Sequence, residues 1–180
     1  MIVVILAGGE GRRIGGGKPH RLLGGETLIE RAVGIALGWS GEVHIAGEPA
    51  MGLPVIRDDP AIEGPLGGVA AALRLGRDAL TIPCDMPFLP DDLAARLGDG
   101  AQAAAIAESG GRLHPVCALW RARAALGLAD YVATGRRSLR GFAATVGYEA
   151  VAWASAPIDP FFNINDEEDL ARAEALLRNR

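Results

Sequence analysis

The 180-residue chain holds one lysine, Lys18, against 17 arginines, and that lysine closes the glycine-rich run LAGGEGRRIGGGK at positions 6–18. Six glycines fall between Gly8 and Gly17. Glycine lets backbone amides approach an anion with no Cβ in the way. Arg12, Arg13 and Lys18 add mobile positive charge to the same loop, a combination suited to a nucleoside triphosphate rather than a neutral ligand. The second residue with evident chemistry is Asp85, in TIPCDMPFLP at 81–90, where prolines at 83, 87 and 90 stiffen the backbone. Asp85 follows a short apolar run, and ligands of open α/β sheets bind at the carboxyl ends of the strands. A hard oxygen donor there could hold Mg²⁺ together with phosphate oxygens and water.

Other candidates are less specific. Asp58 and Asp59 follow the short apolar segment PVIR, and either could face a ligand. His114 precedes an apolar strand and could donate to an anion, although a lone histidine is more often structural. Arg136, Arg137 and Arg140 cluster where a helix begins, so they read equally as an anion site or as a solvated turn. Alternation along an extended segment puts Asn163 and Asn165 on one side, with Asn165 also placed to cap the last helix.

Two familiar phosphate motifs fail. G-x-x-x-x-G-K-[ST] would need glycine where Arg12 stands and serine or threonine where Pro19 stands. Gly9, Gly11 and Gly15 give G-x-G-x-x-x-G rather than G-x-G-x-x-G, a spacing that leaves an NADP oxidoreductase open. A ligand-free surface turn is disfavoured by length, since strand-to-helix loops usually take two to six residues.

Those residues need a scaffold, and the rest of the chain describes one. Hydrophobic residues make up 49% of the sequence, enough for a real core, and the length suits one domain. Short apolar runs at 2–6, 42–46, 53–56, 79–83, 101–107 and 116–120 alternate with helical patterns at 28–37, 64–76, 122–132, 138–146 and 166–178, and a further helix starts at 90–92 with Asp91 as its cap. This is the signature of parallel strands joined by crossover helices. Thr27 and Glu30 form a capping box at the first helix. The expected fold is a single three-layer, Rossmann-like α/β domain with a mostly parallel sheet flanked by helices.

A net charge of −4 gives no global field for nucleic acid or an anionic membrane. Cys84 and Cys117 match neither a disulfide framework nor a zinc spacing, and read as buried thiols. The start MIVVILAGG lacks a basic leader, and no apolar run reaches 18 residues, so a soluble cytoplasmic protein is expected.

Five ordered blocks between Val4 and Leu170 carry a resemblance. LAGGEGRRIGGGK, GPLGG at 64–68, PCDMPFLP, HPVCALW at 114–120 and NINDEEDL at 163–170 resemble the nucleotidyltransferases that include molybdenum cofactor guanylyltransferase. The chain departs from the usual pattern at Gly17, where an aspartate stands, and at Gly47, where an asparagine is frequent. It also has Asp166-Glu167 in place of Thr-Pro.

The resemblance implies transfer of GMP from GTP to molybdopterin carrying molybdenum, with release of pyrophosphate. It puts Leu6, Ala7, Gly8 and Gly9 along the nucleotide and Lys18 with Arg12 or Arg13 on the phosphates. It further assigns Asp58 to the nucleotide, Asp85 to Mg²⁺, Asn165 to the acceptor phosphate, and the Arg136–Arg140 patch to the pterin. Residues 1–100 would bind mainly nucleotide and 101–180 mainly acceptor. GTP, molybdopterin or molybdenum-molybdopterin, and molybdoenzyme-maturation proteins are the implied partners. The alternatives are a cytidylyl- or sugar-phosphate nucleotidyltransferase of the same fold, and a non-catalytic nucleotide-binding module.

Overall fold

The computed structural model describes residues 1–8, 17–47, 49–59 and 61–178. Its sheet starts with β1 (Ile2–Ala7), whose six residues are all buried. A strand covered on both faces needs apolar side chains at every position, and IVVILA supplies them. A two-stranded antiparallel ribbon, β2 (Leu22–Leu23) and β3 (Glu26–Thr27), then leads into α1 (Leu28–Trp39). The expected capping box is present: Thr27 accepts from the Glu30 amide, and the Glu30 carboxylate accepts from the Thr27 amide at 2.8 Å.

Next come β4 (Val43–Gly47), β5 (Val55–Ile56), α2 (Pro65–Leu73) and β6 (Ala79–Pro83). The second half adds α3 (Leu93–Gly98), β7 (Ala104–Ser109), β8 (Arg112–Trp120), α4 (Leu128–Ala133), α5 (Leu139–Val146), β9 (Tyr148–Trp153) and α6 (Glu167–Arg178). Seven strands form one sheet in the order β5-β4-β1-β6-β8-β7-β9. Strand β8 alone runs antiparallel to its neighbours, because it returns from β7 through the turn at Gly110–Gly111.

Alternation along the strands sorts the core into two layers. Val3, Ile5, Leu80 and Ile82 pack against Ile29 and Val33 of α1 and Leu93 and Leu97 of α3. On the opposite face, Ile106, Ala118 and Trp120 pack against Leu66 and Leu73 of α2 and Phe142 of α5. Trp120 is fully buried, and its indole N–H donates to Thr81 Oγ1 at 3.1 Å. The result is the expected three-layer α/β domain. Among the described residues no helix is long and apolar enough to cross a membrane, and both cysteines are free and buried.

Three local expectations change. Residues 122–132 do not form one helix: Ala122–Gly127 is a 3₁₀ segment and α4 follows it. Helix α3 starts after Asp92 rather than Asp91, without a side-chain cap. Asp92 instead accepts from the Trp153 indole at 2.8 Å, and Asp91 accepts from Trp39 through its carbonyl, also at 2.8 Å. Strand β9, unexpected from sequence, completes the edge by pairing parallel to β7.

Candidate active site

The carboxyl ends of adjacent parallel strands β1 and β6 lie side by side, with Leu6 opposite Pro83 in the register. The chain leaves β1 at Gly8 and re-enters the described structure at Gly17, whose φ of 60° and ψ of 30° are left-handed. Glycine takes that conformation without strain. A single 3₁₀ turn, Lys18–His20, follows, with Pro19 buried inside it. The Leu28 amide anchors its exit by donating to Arg21 O at 2.9 Å.

This turn delivers Lys18 Nζ to 2.5 Å from Asp85 Oδ2, across 67 residues of sequence. Both side chains are mostly buried, at 16% and 17% exposure. The other oxygen, Asp85 Oδ1, is buried with no hydrogen-bond partner among the described residues, and so is Asn163 Oδ1. Buried oxygens without donors are costly in a native protein and mark a place where a cation or a ligand donor belongs. Lys18, Asp85 and Asn163 line one cavity of about 270 Å³ together with Gly8, Pro65 and Val116.

A second cavity of about 280 Å³ adjoins it, sharing Leu6, Gly8 and Pro65 and reaching Ala46, Asp58 and Gly68. Geometry separates the two aspartates. Asp59 turns away, binding Arg74 Nη1 at 2.5 Å and the Ala61 amide at 3.0 Å. Asp58 lines the cavity, and partial burial holds its carboxyl above the ordinary value.

Gly47 is the site of close approach. A Cβ there would stand 2.7 Å from both Ala7 C and Gly8 N, and its φ is +120°. The asparagine frequent at this position cannot be accommodated without moving the exit of β1. Gly47→Ala is expected to cost about 1–3 kcal/mol of stability, measured by urea unfolding, because rigid backbone rather than a flexible side chain receives the methyl.

Not every expected residue joins the cleft. Gly9, Arg12 and Arg13 lie outside the described residues. Asn165 is exposed; its amide donates to Asp169 at 2.9 Å and its side chain to Asn163 O at 3.3 Å. The segment 162–165 is not a strand, so the alternation that paired the two asparagines does not apply, and Asn163 takes the cavity position. The usable signal was burial: apolar Phe161 and Ile164, both buried, bracket Asn163, whereas Asn165 enters an acidic helix start.

The arginine cluster also divides. Arg136 stacks over the Tyr131 ring at 5.2 Å. Arg137 donates to Val132 O and Arg136 O, both at 2.8 Å. Arg140 instead lines, with Arg112, Glu108 and Tyr148, a polar cleft of about 480 Å³ at the β7–β8–β9 end of the sheet.

His114 is buried and bonded to Ser109 Oγ at 2.8 Å. Burial holds its imidazole below the ordinary 6.5, with Arg112 acting the same way and Asp159 and Glu108 pulling against it. The unfolded chain therefore takes up this proton at higher pH than the folded one, and stability falls as pH drops below about 6.5. His114→Gln should flatten that dependence: between about pH 7.5 and about pH 5.5 in urea unfolding, the parent loses more stability than the variant.

A family model described as the MobA-like NTP transferase domain matches residues 3–150. A molybdenum cofactor guanylyltransferase of Cereibacter sphaeroides is 47% identical, over 97% of this chain and 96% of its own. One from Acidiphilium cryptum is 44% identical, over 96% and 93%. Molybdopterin-guanine dinucleotide biosynthesis protein A from Archaeoglobus fulgidus superposes with a TM-score of 0.83 over all of both chains at 24% identity. The 2-C-methyl-D-erythritol 4-phosphate cytidylyltransferase from Thermus thermophilus gives 0.71 at 21% identity, over 99% of this chain and 98% of its own. These two structures speak to the fold, which they share with the seven-stranded sheet described above. A family model over most of the chain and relatives of this identity lead to one conclusion: the chain belongs to the MobA-like NTP transferase family and is a nucleotidyltransferase.

Proposed function

We propose that the chain transfers GMP from GTP to the terminal phosphate of molybdenum-molybdopterin, forming the guanine dinucleotide form of the cofactor and pyrophosphate. The observation that carries this reading is the meeting of Lys18 and Asp85 in one cleft, beside two buried oxygens that lack donors among the described residues. The curated relatives' names supply the base and the acceptor.

The cavity past Leu6 and Gly8, with Asp58 on its wall, takes the guanosine, and the cavity around Lys18 takes the triphosphate. Arg12 or Arg13 adds charge to the phosphates. An oxygen of the acceptor's terminal phosphate attacks the α-phosphorus in line, and the bond from that phosphorus to the bridging oxygen breaks. Pyrophosphate departs with the electron pair. Lys18 leaves its contact with Asp85 to bind the phosphates, where its ammonium offsets the charge growing on the leaving group.

The donors present fit a divalent cation: hard oxygens of Asp85 and Asn163, both waiting for a partner, suit Mg²⁺ completed by phosphate oxygens and water. Bound there, Mg²⁺ would supply charge neutralisation across the phosphates. Asn163 and Asn165 share the short segment that meets the acceptor phosphate, Asn163 inward and Asn165 holding its backbone. No protein nucleophile is required. Cys84 lines the cleft, but burial and the neighbouring Asp85 push its thiol up to about 12, too high to serve as one.

The Arg112–Arg140 cleft receives the body of the anionic acceptor, so residues 1–100 serve mainly the nucleotide and 101–180 mainly the acceptor. The enzyme acts in the cytoplasm and hands its product to molybdoenzyme-maturation proteins. Pyrophosphate release with GTP, CTP, ATP and UTP plus Mg²⁺, with and without molybdopterin, tests the reading. Release with GTP only when acceptor is added is expected. Preference for CTP would overturn the guanylyl assignment, and GTP binding without product would make the chain a nucleotide-binding module.

A further inference from the structure

Asn163 lies in a segment without helix or strand between β9 and α6, so its position depends on what holds that segment. One attachment is direct: the Ile164 amide donates to Asp85 O at 3.0 Å. Another runs through three polar side chains on the acceptor side of the sheet. Asp159 Oδ1 accepts from the Phe161 amide at 2.9 Å and from Ser109 Oγ at 2.8 Å. Ser109 Oγ lies 2.8 Å from His114 Nε2, and the His114 ring stacks on Phe161 at 4.7 Å with a 19° tilt.

The direction of this chain follows from a proton count. A serine hydroxyl has one hydrogen. That hydrogen goes to Asp159, so Ser109 can only accept from His114, which must carry its proton on Nε2. Burial keeps the ring neutral and disfavours a second proton. The residue types are those of a hydrolytic triad, yet the order is reversed: histidine donates to serine instead of taking its proton. Ser109 and His114 are also 3% and 6% exposed. The group is therefore a structural relay and not a nucleophile.

We infer that Ser109, His114 and Asp159 form a positioning device that fixes the Asn163 segment against Asp85, tying the β7–β8 hairpin to the reacting end of the cleft. This inference rests on the transferase reading for its effect on turnover, while its structural half stands apart from that reading. Gly110–Gly111, the turn between Ser109 and Arg112, joins the relay directly to the strand that carries Arg112 of the acceptor cleft. A ligand that settles against Arg112 thus bears on the same hairpin that holds Asn163.

The test compares Ser109→Ala, which deletes the central hydroxyl, with Ser109→Thr, which keeps it. Amide exchange at Phe161 is expected to quicken up to about tenfold in Ser109→Ala and to return toward the parent rate in Ser109→Thr. In GTP-dependent transfer, kcat of Ser109→Ala should fall roughly 10- to 100-fold, with the KM for GTP within about twofold. In an Asn163→Ala background the same change should cost almost nothing further, because the residue being positioned is gone. An equal loss in both backgrounds would overturn the inference, as would unchanged exchange at Phe161. A parent chain that makes no pyrophosphate from GTP would sink the transferase reading instead, and exchange at Phe161 would still decide the relay.

Discussion

Asp85→Ala is expected to lower GTP-dependent pyrophosphate release by about 10³-fold or more, while the melting temperature stays within about 4 °C of the parent. The loss is large because nothing stands in reserve. Among the described residues no group of three or more His, Cys, Asp or Glu side chains could hold a metal. Among the described residues Asp85 is the carboxylate that Lys18 meets: Oδ2 holds the ammonium, and Oδ1 is buried without a hydrogen-bond partner. The fold should survive, since the contact that organises this corner is made by the Asp85 carbonyl to the Ile164 amide and is untouched. Cys84 and Met86 on either side stay anchored in the core. Turnover within tenfold of the parent would refute a role for this carboxylate in the reaction.

Lys18→Ala should separate the two cavities by ligand. GTP affinity is expected to drop about 10- to 100-fold, equivalent to about 1.5–3 kcal/mol for lost charge-assisted bonds, as read by titration calorimetry. Guanosine, which lacks phosphates, should bind within about twofold of the parent. Equal losses for both ligands would mean that the substitution merely collapses the Lys18–His20 turn. Lys18→Arg should recover only part of the affinity, because a planar fork does not replace a compact ammonium beside Asp85 and the buried Pro19.

Much of this arrangement was legible in the chain before folding. Strands buried on both faces announce themselves as short apolar runs, and β6 fell on the expected residues, 79–83. The capping box at Thr27 is a local device, so local reading found it. Lys18 and Asp85 were singled out by type and neighbourhood, but their 2.5 Å meeting depends on β1 and β6 pairing, which no local pattern specifies. Strand β9 escaped because it is an edge strand, half-covered, with a mixed pattern of partly buried and exposed residues. The inward turn of Asn163 and the Ser109–His114–Asp159 relay escaped for a related reason. Both are products of tertiary contacts between distant segments, Ile164 with Asp85 in the first and Ser109 with Asp159, 50 residues apart, in the second. Gly47 looked from sequence like a missing side chain, whereas the structure gives it a steric cause.

The solitary lysine has a practical corollary. An amine-directed acylating reagent has a single ε-amino target in this chain, and that target sits inside the cleft against a carboxylate. One mass increment at Lys18, and its suppression by a bound polyphosphate, would turn the protein into its own occupancy gauge without any engineered label.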